Sequence, residues 1–183
     1  WSCFCVANLT ASEIYNEDTP LNLTDIIISD ADDDNVTATL TLSNISAGRL
    51  STATFGAATS SYNATTGVWT AIGTLTDVNT LLAGVVFTPS ANFNDAFTIN
   101  SSITDGTARP LTGSKNFSVL QESTSGNVVL AGTSFTNDTV TYASATEPVT
   151  VSLAIAAPQN TLGAGTDTLT SVEHLIGSAF NDK

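Results

Sequence analysis

From Asn35 to Ser43 the chain reads NVTATLTLS, with Val36, Ala38, Leu40 and Leu42 at one parity and Thr37, Thr39 and Thr41 at the other. A period of two marks a strand buried on one face. Shorter alternations follow at Phe97, Ile99, Ser101, Ile103 and at Lys115, Phe117, Val119, Gln121, each bounded by Asp, Gly, Pro or Asn. Between them, TLTDVNTLLAGVVFTPS predicts a helical turn capped near Thr76 or Asp77, with Val78, Leu81 and Leu82 inward. A strand from Val85 to Phe87, halted by Pro89, comes next. Short strands with regular turn signals predict an all-β fold, a Greek-key β-sandwich in which each sheet covers the other's apolar face. Trp69 and Phe87 are its expected core anchors.

After Gln121 the tract ESTSGN is polar, and the pattern beyond it changes. NDTVTYA, VTVSLAI, TDTLTSVEHLIG and SAFNDK alternate brief β segments with turns at uneven intervals. The expected organisation is therefore a sandwich over 1–121 and a short β-solenoid or β-roll-like segment over 122–183. Solenoid rungs cannot bury their apolar face alone, so about three must stack, and an open end predicts a surface for neighbouring domains or identical subunits.

Composition sharpens this picture. Of 183 residues 42% are hydrophobic, enough to bury a core, and the polar residues are mostly Thr, Ser and Asn rather than helix-forming Lys, Arg, Gln and Glu. A net charge of −13 repels phosphate backbones and anionic lipid, which argues against nucleic acid as a partner. No apolar run approaches the roughly 20 residues that span a bilayer, so no membrane insertion is expected. The N-terminus lacks the basic flank and apolar stretch of a signal peptide, and the absence of Met fits a processed or excised start. Cys3 and Cys5 are two apart, a spacing poorly suited to a bridge in extended chain, so no intramolecular disulfide is expected.

Seventeen acidic residues face four basic ones, Arg49, Arg109, Lys115 and Lys183, so most carboxylates lack an ion-pair partner. Asp30, Asp32, Asp33 and Asp34 crowd into one loop, DADDDN, where like charges about 5 Å apart repel by roughly 1 kcal/mol in water. Alternation within this loop points Asp30, Asp32 and Asp34 to the same side. A hard cation reverses the repulsion, and calcium accepts six to eight oxygens in irregular geometry from such a loop. The plainer alternative is a solvated acidic turn.

The stretches NEDTPLNLTDIIISDADDDN, AGRLSTATFG, TGVWTAIGTLTDVNTLLAGVVFTPSANFNDAFTI and ITDG resemble the cadherin-like, immunoglobulin-type repeats of giant bacterial adhesins. This resemblance covers about Asn8 to Gln121 and implies that Glu17, Asp18 and Asp105 join Asp30, Asp32 and Asp34 around Ca2+. VTVSLAIAAPQNTLGAGTDTLTSVEHLIGSAFNDK resembles segments that adjoin the glycine-rich calcium-binding nonapeptide repeats of type I secreted bacterial proteins. A full nonapeptide is absent, with GAGTDTL as its echo; this resemblance implies Asp167 and Asp182 as weaker ligand candidates, with turn residues that hydrogen-bond the local backbone as the alternative.

Catalytic patterns are missing. His174 is the single histidine, flanked by the expected core residues Val172 and Leu175, and reads as structural. No nucleophile elbow, zinc-binding helix or phosphate loop occurs, so no enzyme is expected. Asn-x-Ser/Thr triplets at Asn8, Asn22, Asn35, Asn44, Asn63, Asn100, Asn116 and Asn137 are frequent by chance in a chain this rich in Asn, Ser and Thr. The expected function is a structural or adhesive module of a secreted, extracellular cell-surface protein. A self-assembling filament or surface-layer subunit joined by β-strand addition is the alternative. A carbohydrate-binding accessory domain with glycan targets is a third reading, weakened by aromatics at core phases.

Overall fold

The computed structural model describes residues 4–16, 18–31, 35–91, 93, 95–107, 109–123, 126–132 and 138–183, with the side chains of Gln121 and Glu122 left aside. The chain is all-β with one short helix. It divides into two compact units, the first comprising residues 1–13, 18–93 and 97–117 and the second 14–17, 94–96 and 118–183. The sequence suggested a boundary after Gln121; the last segment of the second unit begins at Ser118, inside a strand.

The first unit carries β1 (Cys5–Ala7), the start of β2 (Glu13–Asn16), β3 (Leu21–Asn22), β4 (Ile27–Ser29), β5 (Asn35–Leu42) and β6 (Gly48–Leu50). It continues with β7 (Thr54–Phe55), β8 (Ala58–Asn63), β9 (Val68–Thr74), α1 (Leu75–Ala83), β10 (Val86–Pro89), β11 (Phe97–Thr104) and the start of β12 (Leu111–Glu122). Its main sheet runs in the order β7-β8-β9-β5-β11-β12, all neighbours antiparallel. A three-stranded sheet, β3-β10-β6, and the pair β1-β4 complete a sandwich.

The period of two in β5 is realised: Val36, Ala38, Leu40 and Leu42 are buried, while the intervening threonines are half-buried on the other face. Trp69 and Phe87 are fully buried, and Trp69 Nε1 donates to the Ser51 carbonyl at 2.9 Å, so the indole is both packed and satisfied. Phe87, Phe97 and Phe117 pack as a cluster with ring centroids 4.4 to 5.6 Å apart. Aromatic pairs in this range contribute about 0.5–1.5 kcal/mol beyond burial.

The helix begins earlier than the sequence predicted. Thr74, the last residue of β9, is the N-cap: its backbone is extended and its hydroxyl accepts from Asp77 N at 3.3 Å. Asp77 instead lies in the first turn, where it complements the helix dipole and accepts from Ala57 N at 3.1 Å. Val78, Leu81 and Leu82 are buried as expected. Asn79 bonds both backbone groups of Ile28 at 2.8 Å, clamping α1 to β4. Gly67 has φ of 69°, which closes the β8–β9 hairpin where Asn63 accepts from Thr65 N and Thr66 N.

The second unit is built differently. After the end of β12 come β13 (Val129–Ala131), β14 (Thr139–Thr141), β15 (Gln159–Leu162), β16 (Gly165–Thr170) and β17 (His174–Ile176). β12, β14 and β17 form a parallel ladder in which Leu120 aligns with Thr139 and Thr139 with His174. β13 pairs with β16 in parallel, and β16 turns back on β15. The chain thus passes back and forth between two sheets, from β12 to β13 to β14, then through the β15–β16 hairpin to β17, which is the connectivity of a coil. Leu130, Val140, Tyr142, Val149, Ala164 and Leu169 fill its interior. Gly132 lies so close to the Ser171 carbonyl that a Cβ would collide with it.

VTVSLAI does not form a strand beyond a single bridge from Val149 to Leu162. Gln159 accounts for this: its amide accepts from Ser152 N at 2.8 Å and donates to Ser152 O at 3.0 Å, curling the segment and leaving Leu153 and Ile155 exposed. Backbone bonds between Lys183 and both Val149 and Val151 anchor the C-terminal residues.

Candidate functional site

The acidic positions expected around a cation are distributed as follows. Glu17, Asp32 and Asp34 lie outside the described residues. Asp18 is exposed in the turn after β2 with a left-handed φ of 58°. Asp30 is half-buried immediately after β4. Asp105 is half-buried after β11 and accepts from Thr107 N at 2.8 Å, just before Gly106 at φ 83°. All three acids thus stand at strand ends of the first unit. Among the described residues no group of three or more His, Cys, Asp or Glu side chains is gathered for a metal.

Asp167 is the most enclosed acid among the described residues of the second unit, with no exposed surface. Its carboxylate accepts from Ser123 Oγ at 2.9 Å, Val128 N at 3.1 Å and Thr161 Oγ1 at 3.3 Å. Two chain segments, the β12–β13 connection and β15, therefore converge on one buried carboxyl group, a wider reach than a local turn. Tyr142 is buried nearby, with its phenol facing Asp167 and Ser123. Burial first, and then the Asp167 carboxylate, hold the phenol far above its usual range. Asp182 is exposed and accepts from Ser178 Oγ at 2.6 Å and Val149 N at 2.8 Å. The Ser178 hydroxyl, followed by the Val149 amide, lowers its pKa.

Sequence reasoning missed the one ion pair found among the described residues. Lys115 on β12, with 0% of its side chain exposed, meets Glu13 on β2 at 2.9 Å. Glu13 also accepts from Thr24 N at 2.8 Å and Thr24 Oγ1 at 3.1 Å, and Lys115 Nζ donates to Ala11 O at 3.3 Å. This ring of partners is what a buried pair requires. Its signal was present: Lys115 shares the parity of Phe117 and Val119, which puts an ammonium on the apolar face.

Two further expectations change. His174 is exposed on β17 rather than buried as a core histidine. Cys5 is disulfide-bonded, against the expectation of no bridge, and Cys3 is the chain's other cysteine.

No protein-family model, curated protein or solved structure matches the chain. Among the described residues no helix is long and apolar enough to cross a membrane.

Proposed function

We propose that the chain is a structural and adhesive module of a secreted bacterial cell-surface protein, folded and stiffened by calcium. The observation that supports this reading best is the parallel β12–β14–β17 ladder, in which the chain advances by coils along one direction. Such an arrangement suits a spacer, which needs rigidity and no reactive group. The disulfide at Cys5 favours an oxidising compartment. The acid surplus favours a cation, with Asp18, Asp30 and Asp105 as ligands alongside Glu17, Asp32 and Asp34, and Asp167 and Asp182 as the weaker pair.

Extracellular modules bind calcium with affinities of about 0.1–1 mM. At ten times such a Kd, binding stabilises the folded state by about 1.4 kcal/mol. Millimolar calcium therefore raises the melting temperature, chelation lowers it, and Asp30→Asn with Asp105→Asn abolishes the difference. An identical melting curve with calcium and with chelator overturns the calcium part.

A second reading, self-assembly, is favoured by β17. It is the outermost strand of its ladder, and Ile176 on it is exposed. Size-exclusion chromatography and electron microscopy separate the two: monomers support the spacer, whereas ordered polymers support the filament.

A further inference from the structure

We infer that the outer face of β5, β11 and the start of β12 is a binding site for a neutral oligosaccharide. In register across these strands, Thr39 aligns with Ser102 and Ser102 with Thr112, while Thr41 aligns with Asn100 and Asn100 with Ser114. These six side chains line a shallow concavity of about 520 Å³, and all are half-buried or exposed. Adjacent strands are about 4.8 Å apart and alternate residues about 6.8 Å, so the face is a regular grid of hydroxyl and amide groups.

Charge selects the occupant. Every outward position of β5 and β11, and those of β12 up to Asn116, is Thr, Ser or Asn, although the chain carries a net charge of −13. The one charged residue on this part of β12, Lys115, points inward to Glu13. Among the described residues, a cationic ligand would find no carboxylate at the outward positions of these strands, and an anionic one would find no ammonium to offset the long-range repulsion of the chain. A polyhydroxylated, uncharged ligand fits, because hydroxyls both donate and accept and so pair with sugar hydroxyls in either sense. Among the described residues no aromatic ring lines the concavity, so recognition rests on hydrogen bonds and is weak for each contact. Affinity must come from several sugar units spread over the grid. This site is independent of the calcium reading.

The test uses the full chain on an array of neutral and acidic oligosaccharides, followed by calorimetry with the best-retained neutral glycan. The expected result is retention of neutral glycans over sialylated or uronate-bearing ones. Asn100→Ala and Ser114→Lys each weaken binding by about tenfold, the scale of one to two lost hydrogen bonds. Their unfolding midpoints stay at the wild-type value, and Asn181→Ala, at an exposed position of the second unit, binds as wild type. Absence of any retained neutral glycan, preference for acidic glycans, or equal binding by Ser114→Lys overturns the inference.

Discussion

Replacing Asp167 with alanine removes the acceptor shared by donors from two chain segments, the β12–β13 connection and β15. Thr161 keeps a partner, because its hydroxyl also donates to Gly165 O at 2.9 Å. Ser123 Oγ loses the acceptor it has at 2.9 Å and Val128 N the one at 3.1 Å. Each unsatisfied buried donor costs about 1–3 kcal/mol. A buried carboxylate is itself expensive to desolvate, and deleting it returns part of that cost. The net expectation is a loss of about 3 kcal/mol for Asp167→Ala. Asp167→Asn keeps the volume and an oxygen for Val128 N, so about 1–2 kcal/mol is expected. Native-state hydrogen exchange reads this locally: the amides of Leu130, Val140 and Leu169, around the interior of the second unit, lose roughly a hundredfold of protection in Asp167→Ala. Protection within about twofold of wild type would refute the account of Asp167 as a hydrogen-bond hub. The same variants bear on the cation reading. If Asp167→Asn leaves the calcium-induced rise in melting temperature intact, Asp167 serves the fold alone.

The buried pair gives a second test. Lys115→Met leaves Glu13 enclosed without its counter-charge and should cost about 3–5 kcal/mol in urea denaturation followed by Trp69 fluorescence, whereas Lys115→Met with Glu13→Gln should cost clearly less. Strict additivity of the two changes would count against an ion pair. Asp182 sets a pH dependence: its folded pKa lies below the ordinary carboxylate value, so its contribution is present above that value and fades as pH falls through the lowered one. Thermal melts of Asp182→Asn should therefore lose part of the acid-limb slope and match wild type most closely at the lowest pH; an unchanged slope would contradict this.

The sequence was most legible where one face is apolar and the other polar over several residues. β5 is the clearest case, since its whole length obeys the period of two. The sandwich anchors Trp69 and Phe87 followed from the same logic. Less legible was the helix start, because Thr74 belongs to a strand and a cap at once, and pattern reading assigns a residue to one element. VTVSLAI looked like a strand because its alternation is genuine, but a glutamine side chain seven residues beyond Ser152 satisfies its backbone instead. Glu13 and Asp167 were overlooked or underrated for a related reason. Their partners are remote: Glu13 meets Lys115 across β2 and β12, and Asp167 meets Ser123 and Val128 from an earlier coil. Charge counts show that carboxylates outnumber cations, but not which of them the fold encloses.

The parallel ladder also dictates an order of events during folding. An antiparallel hairpin rewards the chain after a short turn, whereas β14 aligns with β12 only after the residues between Leu120 and Thr139 have looped back. β17 must wait longer still, since among the described strands it pairs with β14, and its pairing spans the whole excursion through β15 and β16. Loop entropy is therefore spent before contacts compensate, and the second unit assembles slowly, from its first coil toward its last, with β17 as the final strand to zip and the first to peel away.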